Sequence, residues 1–311
     1  MSPRDQGSAI GAVTPRGSLI TISHALSGAV ARLPNSPTAR LDAELLMAHV
    51  LGTSRSVVLT HGIEPLDSAA QSTFESLVGR RAAGEPVAYV TGRCWFYGLE
   101  LIVSPEVLIP RPETELLVEW ALKRLRHRDP DERTAFRVLD VGTGSGAIAL
   151  AIAAHRPSAQ VHATDISAAA LNVARTNAVR LGLADAITWH EADLWPDGID
   201  AFDLVVANLP YVGTDEVAMM DAEVVLSEPH VALFAGSGGL DVIRRFLASA
   251  RPHLAAHSAD RADLGLEIGW HQGDAMRTLA ATTFPEGNVR IRQDLAGRDR
   301  MATVEGIGRP G

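Results

Sequence analysis

Cysteine is almost missing from this chain: Cys94 is the only one in 311 residues. No internal disulfide can form, and no structural zinc site can be built from cysteine thiolates. A reducing, cytoplasmic setting is therefore expected. Lysine is equally scarce. Lys123 stands alone, and every other residue in the Lys+Arg count of 28 is Arg. That skew reads as the codon bias of a GC-rich genome, not as chemistry. Positive charge is in deficit overall, with a formal net charge of -9. Proteins that live on nucleic-acid phosphate usually show a basic face, so no stable nucleic-acid binding is expected, although a local basic patch is compatible with this balance. No apolar run approaches the ~20 residues that span a bilayer, so no membrane partner is expected. Residues 1–18 are rich in Ser, Gly and Pro and lack an apolar signal core. They read as a disordered leader, not a targeting peptide. Aromatics make up only 5% of the chain, which sets the run Trp95-Phe96-Tyr97 apart.

What is present describes a soluble globular protein: 46% hydrophobic and 21% charged residues. The length suffices for two domains and a large core, and a monomer is expected. Residues 19–84 read as a helical domain. Ser36-Pro37 forms a cap and first-turn signal, with Leu41, Leu45 and Ala48 at helical spacing behind it. A second helical stretch, Leu66 to Ala83, carries Phe74, Leu77 and Val78 on one face. His24, His49 and His61 have no metal-ligand spacing and read as surface or core histidines, so no metal is expected. Residues 85–111 read as a hairpin linker, with strands in Gly84–Gly92 and Trp95–Val103. Packing between the domains is the expected role of Trp95 and Tyr97. From residue 112 to 311, strands and helices alternate, which predicts an α/β domain with a parallel sheet covered on both faces. The strands are Arg137–Val141, Gln160–Thr164, Ala186–His190, Asp203–Ala207 and Asp263–Ile268, with room for two closing strands at Val289–Arg292 and Met301–Val304.

The first of these strands runs into Asp140-Val141-Gly142-Thr143-Gly144-Ser145-Gly146 and then a helix. Glycines let the backbone approach a ligand closely. The Gly-x-Gly-x-Gly loop is shorter than the dinucleotide pattern, which disfavours a pyrophosphate and an NAD dehydrogenase. With Asp140 in front, it suits a ligand with an ammonium group and no phosphate, which describes S-adenosylmethionine. Asp165 ends the next strand, where a carboxylate can grip ribose hydroxyls, and Asp193 follows the third, placed to accept from an adenine amino group. Each acid alone reads as a cap or loop solvator; together, beside the loop, they point to a nucleoside.

The tetrapeptide Asn208-Leu209-Pro210-Tyr211 follows the buried strand Phe202–Ala207, where an open α/β sheet places its active site. Its parts suit the holding of a planar nitrogen for alkylation. The Asn208 carboxamide oxygen can accept from an NH2 group. Pro210 keeps Leu209 extended, so backbone carbonyls are presented instead of consumed in a helix. Tyr211 offers a flat face. By itself this pattern reads first as an ordinary strand-to-turn exit with a Pro.

These segments together resemble the release-factor glutamine methyltransferases, the PrmC or HemK family, over nearly the whole chain after the leader. Gly84-Glu85-Pro86-Val87-Ala88-Tyr89-Val90-Thr91-Gly92 and Leu108-Ile109-Pro110-Arg111-Pro112-Glu113-Thr114-Glu115 carry the most specific part. Asp140–Gly146 is similar to the family's cofactor loop, and Asn208–Tyr211 to its Asn-Pro-Pro-Tyr signature at three of four positions. Leu209 stands where the family usually has Pro. The resemblance implies a helical N-terminal domain, a linking β-hairpin and a seven-stranded Rossmann-like S-adenosylmethionine-dependent methyltransferase domain. It implies methylation of the side-chain amide nitrogen of Gln in the Gly-Gly-Gln tip of class 1 peptide chain release factors. The cofactor residues it implies are Asp140, the loop from Gly142 to Gly146, Asp165, Asp193, Leu194 and Asn208. The catalytic and substrate residues are Asn208, Leu209, Pro210 and Tyr211. Asn-Leu-Pro-Tyr is also the form in adenine-N6 dimethylases acting on ribosomal RNA, so an adenine methylase on RNA or DNA is the alternative, alongside glutamine methylation of a ribosomal protein. A non-catalytic nucleoside-binding module is a third class, but it has no need of Asn208-Leu209-Pro210-Tyr211. Arg111, Glu113 and Glu115 read as a helix start, with Pro112 at its first turn, and a place at the substrate mouth is the lesser alternative.

Overall fold

The computed structural model describes residues 20–199, 201–254 and 261–308, so the expected leader at 1–18 lies outside the described residues. The chain forms two units, one ending at Thr91 and one beginning at Gly92. The first contains α1 (Ile22–Ala31), α2 (Ala39–Val50), α3 (Arg55–Thr60), α4 (Ser68–Ala82) and α5 (Val87–Thr91). Their starts are capped where the sequence supplies a short oxygen-bearing side chain: Thr21 accepts from His24 N, and Asp67 from Ala70 N at 2.8 Å. Leu26, Leu46, Met47, Phe74 and Val78 fill the interior.

Two expectations for this unit are corrected. Leu41 and Leu45 point outward at 38% and 39% exposure. The buried residues of α2 are Asp42, Ala43, Glu44, Leu46, Met47 and Ala48. Asp42 can be buried because Arg81, Ser36 and Thr38 all bond its carboxylate, at 2.7, 2.8 and 2.8 Å. Ser36 thus serves Asp42, and the helix starts only at Ala39. The stretch Gly84–Gly92 is not a strand. Its second half is α5, where the Pro86 carbonyl accepts from Tyr89 and Val90 N and Val90 joins the helical core. Pro86, with its fixed φ, suits a first helical turn.

The second unit opens with the hairpin β1 (Arg93–Phe96) and β2 (Leu99–Ile102). Tyr97 and Gly98 take φ of 49° and 77°, the positive pair that a two-residue hairpin turn requires. Phe96 is buried, Tyr97 packs edge-on to His155, and Trp95 is 69% exposed. A 3-10 turn at Pro112–Thr114 leads into α6 (Glu115–Arg128). There follow β3 (Arg137–Val141), α7 (Ala147–His155), β4 (Gln160–Asp165), α8 (Ala168–Arg180), β5 (Ile187–Glu191) and β6 (Leu204–Ala207). Short helices α9 (Ala222–Ser227) and α10 (His230–Leu233) precede α11 (Asp241–Ala248), β7 (Arg261–Glu267), α12 (Gly273–Thr283), β8 (Asn288–Gln293) and β9 (Asp299–Gly308). Among the described residues, no helix is long and apolar enough to cross a membrane.

The sheet has seven strands in the order β5-β4-β3-β6-β7-β9-β8. The first five are parallel, and β9 closes antiparallel to β7 and β8. The chain builds outward from β3 to β5, then returns to β6 on the other side of β3. The carboxyl ends of β3 and β6 therefore flank a topological switch point, the place where such sheets bind ligands. β6 shows why its apolar run had to be central: Leu204 and Val206 face one core, Val205 and Ala207 the other. Gly265 on β7 lies beneath α6, and a Cβ there would meet Trp120 Cζ3 at 2.4 Å and Leu117 Cδ1 at 2.9 Å. Gly265→Ala is expected to destabilise the protein by about 1–3 kcal/mol through overpacking, measured by chemical denaturation.

Candidate active site

A cavity of about 270 Å³ opens at the switch point. Register brings its two halves together: Val141 pairs with Ala207, so Gly142 and Asn208 leave the sheet side by side. A Cβ on Gly142, at φ 71°, would meet Leu209 Cδ2 at 3.2 Å. Leu209 is 4% exposed and anchored in the core beneath the site. Leucine at this position thus closes over the glycine loop.

The loop is folded down onto β4. Gly142 N and Thr143 N both donate to the Thr164 carbonyl at 2.9 Å, and Gly144 N donates to Asp165 Oδ2 at 2.9 Å. Asp165 Oδ1 accepts from Ser167 N at the start of α8. Burial pushes the Asp165 carboxyl up from its ordinary value, against these backbone donors. Gly142, Thr143, Gly144, Ser145, Asp165, Asp193, Leu194, Asn208, Leu209 and Pro210 all line the cavity. Leu194 takes a φ of 71°, its carbonyl held by the Thr164 hydroxyl at 2.8 Å. Asp193 is bound by Arg245 through both oxygens, at 3.0 and 3.1 Å.

Three expected residues stand behind the cavity instead of lining it. Asp140 is wholly buried; its Oδ2 accepts from Thr143 Oγ1 at 2.7 Å and Ala149 N at 3.1 Å, bracing the loop from below. Burial raises its pKa to about 7, opposed by those two donors. Its Oδ1 has no hydrogen-bond partner. Gly146 is needed for space: a Cβ there would meet Leu150 Cδ1 at 3.0 Å and Ala174 Cβ at 3.1 Å. Tyr211 packs against the core that holds Leu209, and its hydroxyl donates to Glu267 Oε1 at 3.1 Å. Burial, then the Glu267 charge, push the Tyr211 pKa upward.

Other groups emerge only in three dimensions. Thr114 lines the cavity and accepts from Asn208 Nδ2 at 3.2 Å. Arg111, expected to start a helix, pairs with Glu228, whose side chain is 1% exposed. Burial raises the Glu228 pKa, and Arg111 opposes it. Pro110 and Pro229, adjacent to that pair in the chain, both line the cavity, so the ion pair clasps two of its walls. Asn177 ties the hairpin to the glycine loop: its amide bonds Ile102 N, Ile102 O and Ser145 O at 2.6, 2.9 and 2.9 Å. The pairing of Arg111 with Glu228 spans 117 residues, and no local pattern marks it.

The donor set fits a nucleoside with an alkyl sulfonium. The loop presents close backbone, Asp165 supplies an acceptor at the strand end, and Asn208 reaches the same space from β6.

Comparison with known proteins gives the family. The family model described as PrmC N-terminal domain matches residues 24–92, and that described as Methyltransferase small domain matches 114–258. A release factor glutamine methyltransferase of Xylella fastidiosa is 47% identical over 266 residues, covering 84% of this chain and 91% of that protein. One from Burkholderia pseudomallei is 43% identical over 275 residues, covering 86% and 92%. The N-terminal domain of human METTL16, solved in complex with SAH, aligns with a TM-score of 0.50 at 17% identity, over 83% of this chain and 93% of that one; this likeness concerns the fold. The seven-stranded fold, the glycine loop beside the Asn-x-Pro-Tyr strand end, and relatives matched over nine-tenths of their length leave one assignment: the chain belongs to the release factor glutamine methyltransferase family.

Proposed function

We propose that this protein transfers a methyl group from S-adenosylmethionine to the N5 amide nitrogen of Gln in the Gly-Gly-Gln motif of class 1 peptide chain release factors. One observation carries the reading: Asn208, Leu209 and Pro210 line the same cavity as the glycine loop and Asp165. Donor and acceptor are thereby served from neighbouring strand ends.

Bound S-adenosylmethionine supplies an electrophilic methyl on a positive sulfonium. Asp165, with the backbone of the glycine loop, holds the nucleoside end, and Asp193 and Leu194 close the cavity from the next strand. An amide nitrogen is a poor nucleophile because its lone pair is delocalised into the carbonyl. The Asn208 carboxamide oxygen and the Leu209 or Pro210 carbonyl accept its two N–H bonds and orient it. No backbone N–H among the described residues donates to either carbonyl, so both are available. No strong base is required, because the proton can leave after the methyl arrives. Position, more than proton transfer, is what these residues provide.

The test is incubation with labelled S-adenosylmethionine and purified release factor, with a Gly-Gly-Gln→Gly-Gly-Ala release factor as control. Label on the first protein and none on the second is expected. Equal label on both, or label only on added RNA, would overturn the reading.

A further inference from the structure

Asn177 is wholly buried on α8, where it shares a stripe with Ala170, Leu171, Ala174 and Ala178. Asparagine is a poor helix former, and a carboxamide is costly to bury without partners. Here the partners are complete on the donor side. Oδ1 accepts from Ile102 N at 2.6 Å, and Nδ2 donates to the carbonyls of Ile102 and Ser145, both at 2.9 Å. Both amide protons are thus used. The Ser145 carbonyl is open to this bond because Ala149 N, four residues on, donates to Asp140 Oδ2 instead.

These bonds join two walls of one cavity. Ser145 belongs to the glycine loop and lines the cavity. Ile102 ends β2 and opens a strap, residues 103–110, of which Glu106, Val107, Leu108 and Pro110 line the same cavity. Val103, Val107 and Ile109 are buried and seat the strap. Its far end is closed by the pairing of Arg111 with Glu228, and the chain then reaches Thr114, which holds the Asn208 amide. One planar group spans the start of the strap and the glycine loop, so neither can shift alone without breaking a bond to Asn177.

We infer that Asn177 is a positioning residue that couples the glycine loop to the strap and so makes cofactor and release factor bind cooperatively. This rests on the release factor being the substrate. A cofactor seated on the glycine loop restrains Ser145, and Asn177 passes that restraint to Ile102 and the strap. The strap is then ordered before a glutamine reaches Asn208, and the second ligand meets a smaller loss of conformational entropy. By linkage the release factor tightens the cofactor by the same factor. Asn177 itself stands behind both walls, wholly buried.

The experiment measures the affinity of full-length, unmodified release factor for the protein, with and without saturating S-adenosylhomocysteine. In the wild type the cofactor product is expected to tighten release-factor binding about fivefold or more, the ordinary scale of coupling between two ligands. In folded Asn177→Leu or Asn177→Ala the ratio should fall to within about twofold of unity. Amide exchange at Ile102, whose N–H donates to Asn177, gives a second readout in the unaltered protein. S-adenosylhomocysteine should slow it about tenfold, because the opening of that bond becomes rarer. This second readout decides the matter if neither variant folds. A wild-type ratio near unity, a folded variant that keeps the wild-type ratio, or Ile102 exchange indifferent to S-adenosylhomocysteine would overturn this inference alone, provided the wild type methylates release factor. A wild type that leaves the release factor unmethylated would overturn the underlying reading and this inference with it.

Discussion

Asn208→Ala is expected to lower kcat for release-factor methylation by about 10²–10³-fold, the scale seen when one preorganised polar contact is removed from a reacting centre. The loss should fall on kcat. The nucleoside end is served by the glycine loop and Asp165, so S-adenosylhomocysteine affinity should stay within about threefold of wild type, on the argument that most of the binding contacts remain. Two facts make Asn208 hard to replace. Its backbone follows Ala207, paired to Val141 in the sheet, so it leaves a rigid strand end beside Gly142. Its amide is held at Thr114, so the pose is set before substrate arrives. Alanine keeps the strand and loses both the acceptor and its orientation. Steady-state kinetics with titration calorimetry separates the outcomes. A variant with wild-type kcat would show that Asn208 does not hold the reacting nitrogen.

Much of the scaffold could be read from residue pattern, and the reasons are specific. β6 is apolar on both faces because it is central in a parallel sheet, and that produces a run visible without coordinates. The glycine loop shows itself because close approach to a ligand needs glycine at fixed spacing; φ is positive at Gly142, Gly144 and Gly146. Periodicity placed α2 but failed to show its buried face, where Asp42 lies inside and Leu41 and Leu45 outside. Its burial depends on Arg81, far along the chain, which no local rule supplies. It failed again at Val87–Thr91, whose β-branched residues suit a strand but pack as a helical turn. Within the site, the residues that line the cavity were legible because their chemistry is local. Thr114 and Glu267 were not. One sits in a helix start and the other in a strand, and each is ordinary there until tertiary packing brings them to Asn208 and Tyr211.

Asp165→Ala is expected to weaken S-adenosylhomocysteine binding about 100-fold, from the loss of charged-acceptor hydrogen bonds worth about 1.5–3 kcal/mol each. A carboxylate offers about four acceptor positions. Gly144 N and Ser167 N use one on each oxygen, both at 2.9 Å, which leaves capacity toward the cavity that Asp165 lines. The same side chain therefore fixes the glycine loop and faces the ligand. Removing it loosens the Gly144 backbone and takes away the acceptor for ribose hydroxyls. Asn is no remedy, because its NH2 would confront one of the two backbone donors. The signature distinguishes this site from Asn208: the KM for S-adenosylmethionine should rise steeply, while kcat at saturation falls by no more than about tenfold, as for lost binding common to ground and transition states. Unchanged S-adenosylhomocysteine affinity in a folded Asp165→Ala protein would place the nucleoside elsewhere and dissolve the pairing of donor and acceptor at the β3 and β6 strand ends.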